Sequence, residues 1–443
     1  MAESYNIEFI IQPGSSLGGS MMVPGDKSIS HRTVMLGSIA DGQTRVSGLL
    51  EGEDVIATVS AMRAMGVDID GPANGEMTIA GVGMHGLSAP PAPLDFGNSG
   101  TAMRLMCGLL AAQSFASELS GDESLLARPM ERVARPLREM GANIETSAGK
   151  PPILIQPASD GLLASVHHLE VASAQVKSAL LLAGLYARGE TRVIEPAITR
   201  DHTERMLRAF GIQVHGGEDW ASVSGDQKLI GTDVEVPGDL SSASFFLVGA
   251  AISPDTELTI SDVGVNPTRT GIIRILEAMG ATIDESNPRD IAGEPVADLT
   301  VHGAQLTGID IPPSWVPLAI DEFPAVCIAA AAASGTTVIR GAAELRVKES
   351  DRIAAMTAGL RNLNIHVDEF DDGIAVTGGM MSGGQIDSFG DHRIAMAFAI
   401  AGIIASDTIR IANCRNVATS FPGFAQIAAD AGLDIEERIN AGD

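Results

Sequence analysis

Basic and hydroxyl side chains recur at the positions where the sequence predicts that helices begin. In the first of these segments Lys27 and Ser28 open the helix, and Arg32 lies one helical turn after Ser28. A helix N-terminus presents unpaired N–H groups and the positive end of the helix dipole, so it attracts anions. Ammonium and guanidinium groups added at such a position predict a site for a small, highly anionic ligand.

Equivalent residues open other predicted helices. These starts are Asn98-Ser99-Gly100-Thr101 followed by Arg104, Arg128, Ser173-Ala174-Gln175, Arg200, the acidic Asp321-Glu322, Lys348-Glu349 leading to Arg352, and Asp391-His392-Arg393. Only five of the 29 basic residues are lysines, and two of the five, Lys27 and Lys348, are at helix starts. A solvated cap or a surface ion pair explains any single arginine equally well, but the recurrence favours a shared ligand-binding role.

The polar helix starts belong to an internal repeat. Val23-Pro24-Gly25-Asp26 returns as Val236-Pro237-Gly238-Asp239, and each half contains three α/β units of roughly 70 to 85 residues. In each unit an apolar helix leads into a short strand, and a second, amphipathic helix ends at Gly or Asn. We expect one domain over residues 21–234 and a discontinuous domain from residues 1–20 plus 235–443, with residues 1–20 supplying a strand to the second half.

The composition excludes several classes of protein. Acidic residues outnumber basic residues 56 to 29 in the 443-residue chain, which gives a net charge of −27, and such a surface repels nucleic acid and anionic lipid. The cysteines, Cys107, Cys327 and Cys414, fit neither a disulfide framework nor a zinc site. Neither an export signal nor a membrane-spanning apolar run is visible. We expect a cytoplasmic protein with no nucleic-acid or membrane partner.

No motif indicates a metal or an organic cofactor. The chain has no GxxxxGK(S/T) loop, no GxGxxG turn after a strand and no cluster of His, Asp and Glu with metal-ligand spacing. His31 and His202 have no partner that the sequence reveals, and we interpret both as structural. We therefore expect a site built without a metal.

Eight motifs, spread in order over nearly the whole chain, resemble the 5-enolpyruvylshikimate-3-phosphate synthase family. They are VPGDKSISHR, DFGNSGTAMRL, SAQVKSALLLAGL, TRDHTERML, DEFP, LRVKESDR, GDHRIAM and ATSFP. The resemblance implies an α/β fold of two similar domains, each of three βαβαββ repeats around a pseudo-threefold axis (the inside-out α/β barrel of enolpyruvyl transferases), with the active site in the interdomain cleft.

The resemblance also implies a reaction and its partners. The enolpyruvyl group of phosphoenolpyruvate moves to the 5-hydroxyl of shikimate 3-phosphate and phosphate is released, on the route to chorismate and the aromatic amino acids. No metal or organic cofactor takes part. The expected partners are these two small molecules, and the expected state is a monomer.

By motif matching the resemblance assigns roles to individual residues. Shikimate 3-phosphate would be held by Lys27, Ser28, Arg32, Ser173, Ala174, Gln175 and Arg200, and phosphoenolpyruvate by Gly100, Thr101, Arg128, Arg352 and Arg393, with Lys27 nearby. The remaining members of the expected binding set are Asn98, Asp321, Lys348 and His392. The expected catalytic residues are Asp321, Glu349, Lys27 and Lys348, with Asp321 as the base for the 5-hydroxyl and Lys348 close by. Glu349 would protonate the methylene carbon, and for this we expect its pKa to be raised by desolvation or a neighbouring carboxylate.

Two positions bear on inhibitors and on the phosphate contacts. Ser420 stands where many relatives carry Lys, so one contact to phosphate is missing or is supplied by water or another residue. Position 100 is Gly, as in glyphosate-sensitive members, whereas Ala there is associated with tolerance. We expect sensitivity to glyphosate.

Two rival interpretations stay open. UDP-N-acetylglucosamine enolpyruvyl transferase shares the fold, but it carries a reactive loop Cys and a Lys-Asn pair, whereas this chain has Lys27-Ser28 and places Cys107 in an apolar helix. The other rival is a noncatalytic repeat scaffold, which would have no use for Asp321 and Glu349 beside an arginine cluster.

Overall fold

The computed structural model describes residues 5–253 and 255–441, and the chain divides into two compact units. The N-terminal unit comprises Gly25–Pro237 with Asp290–Glu294, and the C-terminal unit comprises Met1–Pro24, Gly238–Arg289 and Pro295–Asp443. The sequence boundaries differ from this division at residues 21–24, 235–237 and 290–294. The last difference has a physical reason: His202 Nδ1 lies 2.7 Å from Glu294 Oε1, and Arg205 Nη1 donates to the carbonyl of Gly293 at 2.5 Å.

Helices and strands alternate along the chain. The helices are α1 (Lys27–Ile39), α2 (Glu53–Ala64), α3 (Gly100–Leu110), α4 (Glu123–Leu126), α5 (Glu131–Glu139), α6 (Ala174–Gly184), α7 (His202–Ala209), α8 (Leu240–Ala251), α9 (Gly271–Ala278), α10 (Phe323–Ala332), α11 (Arg352–Asn362), α12 (His392–Ala401) and α13 (Phe424–Asp430). Short 3-10 helices cover Pro313–Leu318, Ala343–Val347 and Cys414–Thr419.

The strands are short and are distributed over both units. They are β1 (Tyr5–Ile11), β2 (Gly19–Met22), β3 (Asp41–Ser47), β4 (Asp68–Ala73), β5 (Glu76–Val82), β6 (Leu94–Asp95), β7 (Ser117–Ser120), β8 (Asn143–Ser147), β9 (Lys150–Gln156), β10 (Val166–His168), β11 (Glu190–Ile194), β12 (Val214–Gly216), β13 (Trp220–Ser224), β14 (Asp233–Glu235), β15 (Glu257–Gly264), β16 (Thr282–Ile291), β17 (Glu294–His302), β18 (Thr336–Ile339), β19 (His366–Phe370), β20 (Gly373–Thr377), β21 (Gly384–Asp387), β22 (Ile409–Ala412) and β23 (Ile435–Ala441).

Each unit contains three sheets among its described residues. The strand orders are β14-β3-β5-β4, β6-β7-β9-β8 and β10-β11-β13-β12 in the N-terminal unit, and β2-β15-β17-β16, β18-β20-β19 and β21-β22-β1-β23 in the C-terminal unit. Except in the sheet β18-β20-β19, the first strand pairs parallel with the second, which pairs antiparallel with the third. This recurring topology confirms the predicted α/β fold of two similar halves with three repeats each.

The N-terminal strand β1 lies within the last of these sheets. It pairs antiparallel with β22, where Phe9 is opposite Ile411, and antiparallel with β23, where Ile11 is opposite Ile435. The beginning of the chain therefore completes a sheet of the C-terminal unit.

The first helix of each repeat is buried on all sides. Every residue of α8 and of α12 is buried, and α8, α10 and α12 contact one another. A helix that is apolar all round belongs inside a protein, which explains why Ala, Ile, Leu and Val rather than aromatics dominate these segments. In α1, α3 and α6, by contrast, residues of the helix start such as Lys27, Thr101 and Gln175 are the ones left partly exposed and thus available for chemistry.

The second helix of each repeat ends where the sequence predicts. The second residue after each of these helices has a left-handed backbone, with φ between 66° at Asn364 and 112° at Gly432. Gly adopts this conformation without a steric penalty, and Asn tolerates it better than most residues. No helix among the described residues is long and apolar enough to cross a membrane.

Candidate active site

In the N-terminal unit, neutral groups hold the guanidinium of Arg32 in place. Its Nε donates to Thr203 Oγ1 at 2.6 Å, its Nη2 to Ser178 Oγ at 2.8 Å and its Nη1 to the carbonyl of Ser28 at 2.9 Å. Burial lowers the pKa of Arg32 to about 10, while the carboxylates of Glu204 and Asp26 oppose the shift. The group thus stays charged at neutral pH. None of its three hydrogen bonds goes to a carboxylate, so its charge is available to an anion.

The acceptors of Arg32 are fixed by a clasp between α6 and α7. Thr203 Oγ1 donates to Ser178 Oγ at 2.7 Å, and the next residue on α7, Glu204, lies 2.8 Å from Lys177 Nζ on α6. Glu195 lies 2.7 Å from the same ammonium. Burial alone would lower the pKa of Lys177, but the two carboxylates outweigh it and raise the pKa. We refer to Lys177, Ser178, Thr203 and Glu204 as the α6–α7 clasp.

The start of α1 carries the only predicted catalytic residue of this unit. Asp26 caps α1 by accepting from the backbone N–H of Ile29 at 2.8 Å, and Lys27 Nζ lies 3.0 Å from Asp54 Oδ2. The Lys27 side chain is mostly buried, with 15% of it exposed. An ammonium held by one carboxylate in this way has a fixed position and can still donate to a second anion.

His31 joins three helices of the N-terminal unit. Its Nδ1 lies 2.8 Å from Thr58 Oγ1 on α2 and its Nε2 lies 3.3 Å from Ser99 Oγ, which also accepts from the N–H of Ala102 at the start of α3. Burial, followed by the charges of Lys27 and Arg32, lowers the pKa of His31 well below its usual value. These contacts agree with the structural interpretation of His31.

A second network lies at the start of α3. Gln175 links this start to α6, because its amide nitrogen donates to Thr101 Oγ1 at 2.9 Å and its amide oxygen accepts from Arg104 Nη1 at 2.7 Å. Arg128 Nη2 donates to Asn98 Oδ1 at 2.5 Å. A Cβ at Gly100 would lie 2.9 Å from Arg104 Nη1 and 3.0 Å from the nearest nitrogen of Arg128. The absence of a side chain at Gly100 therefore leaves room for two guanidinium groups.

In the C-terminal unit, Asp321 lies within a cluster of basic groups. Its Oδ1 accepts from Lys348 Nζ at 3.0 Å and from Arg352 Nη1 at 3.3 Å. Arg352 also donates to Glu349 Oε2 at 2.6 Å and, through Nε, to Asp391 Oδ2 at 2.8 Å. Although burial disfavours its charge, Asp391, Glu349 and Asp321 raise the pKa of Arg352. The cluster brings together a candidate base, a candidate acid and two permanent cations.

Arg393 is held close to the same cluster from α12. Its Nη1 donates to the backbone carbonyl of Asp321 at 2.9 Å. Asp391 caps α12 by accepting from the N–H of Arg393 at 2.9 Å, and His392, the first residue of this helix, is buried. Two of the predicted site segments, Asp321 and Asp391 to Arg393, are thus joined by side-chain and backbone contacts.

The predicted residues fall into two sets, one in each unit. The N-terminal unit carries Lys27, Ser28 and Arg32 on α1, Asn98 before α3, Gly100 and Thr101 on α3, Arg128 after α4, Ser173 as the cap of α6, Ala174 and Gln175 on α6, and Arg200 before α7. The C-terminal unit carries Asp321 before α10, Lys348 and Glu349 before α11, Arg352 on α11, and His392 and Arg393 on α12.

One local prediction was wrong. The sequence suggested that the run from Lys348 to Arg352 opens a helix, but α11 begins only at Arg352, with Asp351 as its cap, and Lys348 ends the preceding 3-10 helix. The extended backbone at Lys348, with ψ of −152°, interrupts the helix. This break places the Lys348 and Glu349 side chains on a turn ahead of the helix start rather than on its first turn.

Sequence reasoning left other functional neighbours out of the predicted set. They are Arg104, Lys177, Ser178, Thr203, Glu322 and Arg269. The signal for most of them was proximity in sequence to a predicted residue, such as Thr203 in the segment that begins at Arg200. Ser420 is buried at the end of the last 3-10 helix.

The chain is similar to known proteins over nearly its full length. The family model of EPSP synthase (3-phosphoshikimate 1-carboxyvinyltransferase) matches residues 11–427. A protein of Acidithiobacillus ferrooxidans named 3-phosphoshikimate 1-carboxyvinyltransferase is 57% identical over 428 residues, which cover 97% of this chain and 98% of that protein. Its counterpart in Methylococcus capsulatus is 56% identical over 432 residues, 97% of this chain and 99% of that one.

A solved structure gives the same result. EPSP synthase from Acinetobacter baumannii superposes with a TM-score of 0.88 and 53% sequence identity, over 98% of this chain and 100% of that one. Because both the family match and the similarity to these relatives extend over nearly the full length, the chain belongs to the EPSP synthase family.

Proposed function

We propose that the protein transfers the enolpyruvyl group of phosphoenolpyruvate to the 5-hydroxyl of shikimate 3-phosphate and releases phosphate. The observation that carries this proposal is the cluster of Asp321, Lys348, Glu349 and Arg352, whose two carboxylates and two basic groups are linked by contacts of 2.6 to 3.3 Å. A scaffold has no need for such an arrangement, whereas a reaction that moves protons while charge develops on phosphate requires it.

Shikimate 3-phosphate is assigned to the N-terminal set. Arg32 keeps its charge without a carboxylate among its three hydrogen bonds, and guanidinium groups bind phosphate in a bidentate way. Ser173, Ala174 and Gln175 add the start of α6, and the remaining members are Lys27, Ser28 and Arg200. The positive end of a helix dipole and the fixed cations together favour a phosphate dianion.

Phosphoenolpyruvate is assigned to residues from both sets. In the N-terminal unit these are Asn98, Gly100, Thr101 and Arg128, with Lys27 nearby, and in the C-terminal unit they are Arg352, His392 and Arg393. Arg128 and Arg393 each have an oxygen acceptor that orients the guanidinium, Asn98 Oδ1 and the Asp321 carbonyl, respectively. Since the reaction needs the carboxylates of one set and the phosphate ligands of the other, both sets must act on the same pair of substrates.

The chemistry proceeds by addition and elimination. Asp321 accepts the proton of the 5-hydroxyl while the oxygen of that hydroxyl bonds to C2 of phosphoenolpyruvate. Lys348, 3.0 Å from Asp321, stabilises the carboxylate of Asp321 before the proton is transferred. Glu349 delivers a proton to the methylene carbon, which becomes a methyl group. In the second stage the C2–O bond to phosphate breaks and the methyl group returns a proton to Glu349. Asp321 gives up its proton to the departing phosphate, so that the enol ether and inorganic phosphate are formed.

The acid role of Glu349 places a condition on its surroundings. Its contact with Arg352 at 2.6 Å stabilises the ionised carboxylate, whereas the proposed acid must carry a proton. Phosphoenolpyruvate, by drawing Arg352 toward its own anionic groups, would weaken this contact and favour protonation. A titration of Glu349 in the complex with both substrates checks this step, because a carboxyl that stays ionised there at neutral pH is excluded as the acid.

Phosphate release tests the function. The purified protein is mixed with phosphoenolpyruvate and, in separate reactions, with shikimate 3-phosphate or UDP-N-acetylglucosamine, and inorganic phosphate is measured. We expect release only with shikimate 3-phosphate and an unchanged rate after dialysis against EDTA, since no cofactor is assigned. Release with the nucleotide sugar alone would indicate the related transferase, and release with neither acceptor would indicate a scaffold.

We also propose that the enzyme works as a monomer in the cytoplasm. All the residues assigned to the two substrates come from one chain, and the three unpaired cysteines suit a reducing compartment. Light scattering of the protein as it elutes from a size-exclusion column gives its mass in solution. The mass of a dimer would contradict the proposal that the enzyme is a monomer.

A further inference from the structure

Glu322 is a buried carboxylate that the proposed reaction does not use. Its side chain is only 1% exposed, and it follows the proposed base Asp321 in the chain. Ser241 Oγ donates to Glu322 Oε1, and two guanidinium nitrogens, Arg269 Nη2 and Arg393 Nη1, each lie 3.7 Å from the same oxygen. The other oxygen, Oε2, is buried and accepts no hydrogen bond from the residues that the structure describes.

Burial of this carboxylate is expensive. An ion loses its hydration in the interior, and the attraction of nearby charges compensates for the loss only when the geometry is good. Here the closest nitrogens are at 3.7 Å rather than at hydrogen-bond distance, and one oxygen has no donor. Stability alone is therefore a poor reason for a charged residue at this position, since an apolar side chain of similar volume would avoid the desolvation cost.

The contacts around Glu322 converge on Arg393. Arg269 Nη2 lies 3.1 Å from Asp239 Oδ1 and also donates to Ser241 Oγ, so Ser241 is fixed while it donates to Glu322. Glu322 in turn faces Arg393 Nη1, the nitrogen that donates to the carbonyl of Asp321. The edge of Arg393 that bears Nη1 is thus held by the segment formed by Asp321 and Glu322, and the donors of the other edge can meet a ligand.

We propose that Glu322 is a positioning residue: it holds the guanidinium of Arg393 in the orientation that binds phosphoenolpyruvate. The inference rests on the proposed function, because it assigns Arg393 to that substrate. Glu322 itself touches neither substrate. It acts through Arg393, with Ser241 and Arg269 keeping the carboxylate in place.

The direction in which the KM for phosphoenolpyruvate changes distinguishes a positioning role of Glu322 from a purely electrostatic one. Glu322 is negative, so a purely electrostatic role would oppose the binding of phosphoenolpyruvate, and its neutralisation would lower the KM for this substrate. Loss of a positioning contact has the opposite result, since Arg393 becomes free to adopt other rotamers. The KM for shikimate 3-phosphate serves as an internal reference, because the residues assigned to this substrate, apart from the base Asp321, are in the N-terminal unit.

The experiment compares Glu322→Gln with Glu285→Gln in the full-length enzyme. Both changes remove one negative charge from the C-terminal unit, but Glu285 is exposed on β16. For Glu322→Gln we expect the KM for phosphoenolpyruvate to rise about tenfold, the size expected for loss of one contact to a charged group, with the KM for shikimate 3-phosphate within about twofold. Glu285→Gln should match the wild type in both constants.

A double-mutant cycle tests whether Glu322 changes the KM for phosphoenolpyruvate through Arg393. In an Arg393→Gln background we expect Glu322→Gln to add little, because the residue that it positions is gone. A full additional tenfold effect in that background would overturn the proposal, as would a lower KM for phosphoenolpyruvate or an equal rise in both KM values in the single variant. If Glu322→Gln fails to fold, Ser241→Ala is the second variant, because it keeps the carboxylate of Glu322 and removes its hydrogen-bond donor. A rise in KM for phosphoenolpyruvate alone supports the proposal, and wild-type KM values overturn it.

Failure of the inference is distinguishable from failure of the function. Turnover of the wild type with shikimate 3-phosphate tests the function alone. With such turnover present, Glu322→Gln kinetics that match those of Glu285→Gln overturn only the positioning role. Without it, both proposals fall.

Discussion

Arg32 on α1 and Thr203 on α7 are joined by a hydrogen bond of 2.6 Å from Nε to Oγ1. The hydroxyl of Thr203 donates a hydrogen bond to Ser178 Oγ at 2.7 Å, so the same hydroxyl accepts from the guanidinium and connects α7 to α6. The charge of Arg32 is thereby oriented without being neutralised. This arrangement differs from that of Arg352, whose guanidinium contacts three carboxylates.

Thr203→Val tests the importance of this orientation. Val keeps the shape of Thr but cannot accept from Arg32, and a lost hydrogen bond to a charged group typically changes affinity by about tenfold or more. We expect the KM for shikimate 3-phosphate to rise by about that factor, with little change in the KM for phosphoenolpyruvate, in steady-state assays of phosphate release.

A matched control is available in the same unit. Thr191 is also fully buried, but its hydroxyl has no hydrogen-bond partner among the described residues. Thr191→Val should leave both KM values unchanged. Equal kinetics for the two variants would show that the Thr203 hydroxyl contributes only to packing.

Gly100→Ala should reduce inhibition by glyphosate. A methyl group at Gly100 would approach Arg104 and Arg128 to 2.9 and 3.0 Å, closer than carbon and nitrogen normally come, so one or both guanidinium groups must move. If these groups bind phosphoenolpyruvate, its KM rises as well. We expect the wild type to be inhibited competitively with phosphoenolpyruvate and the variant to require more inhibitor.

Gly379→Ala is the control for this substitution. The nearest atom to a Cβ at Gly379 is 3.9 Å away, and its backbone is not left-handed. We expect wild-type inhibition there. The prediction is contradicted if glyphosate inhibits the wild type only weakly and inhibits the Gly100→Ala variant at least as strongly.

The fold could be predicted from the sequence because it repeats. One supersecondary unit occurs six times, so a helix or strand that is ambiguous in one copy is predicted by comparison with the other copies. The left-handed backbone at Gly432 and Asn364 follows directly from residue type. The assignment of residues 290–294 to the N-terminal unit could not be predicted, because it depends on the contacts of Glu294 and Gly293 with residues far away in the chain.

The candidate site was predictable only in part. From their places at helix starts, Arg32 and Arg393 are predicted to bind a ligand, because a helix dipole and a cation combine there. The sequence does not indicate which neutral or charged partner each arginine meets, and this partner decides how much of the charge is available. Thr203 and Glu322 were missed for this reason: each is an ordinary helix-start residue until the structure places it beside a guanidinium.

All three cysteines should be unreactive in the folded protein. Burial raises the pKa of Cys107, Cys327 and Cys414 to about 12 in each case, so almost no thiolate is present at neutral pH. We expect a thiol reagent such as DTNB to label none of them in the native protein and all three after denaturation. Rapid labelling of one cysteine with loss of activity would instead support the rival transferase, which carries a reactive Cys.

Asp321→Asn should lower kcat far more than it changes either KM. Asn preserves the shape of the side chain and an acceptor for Lys348 and Arg352, but it cannot take the proton of the 5-hydroxyl. General base catalysis typically contributes about 10²- to 10⁴-fold, and we expect a loss of kcat in this range. Asp434→Asn, at an exposed carboxylate of the same unit, controls for the change in charge, and kcat within about tenfold of the wild type in Asp321→Asn would exclude Asp321 as the base.

His31 should make the folded protein less stable as the pH falls. The folded state keeps its imidazole neutral, since burial and the charges of Lys27 and Arg32 lower its pKa well below the usual value. In the unfolded chain an imidazole takes up a proton near pH 6.5. Below about that pH the unfolded state therefore binds more protons than the folded state, and the free energy of unfolding decreases by up to about 1.4 kcal/mol per pH unit.

Removal of this imidazole should flatten the pH dependence of stability. We expect the urea midpoint of the wild type to drop more between pH 7.5 and pH 5.5 than that of His31→Gln, even though the variant is less stable at pH 7.5 because it loses the contacts to Thr58 and Ser99. His215→Gln, which removes an exposed imidazole, should retain the wild-type drop. The stability that the neutral His31 contributes is present above the pKa of the unfolded imidazole and is lost as the pH falls. Parallel plots of the urea midpoint against pH for the wild type and His31→Gln would therefore mean that His31 is protonated in the folded protein.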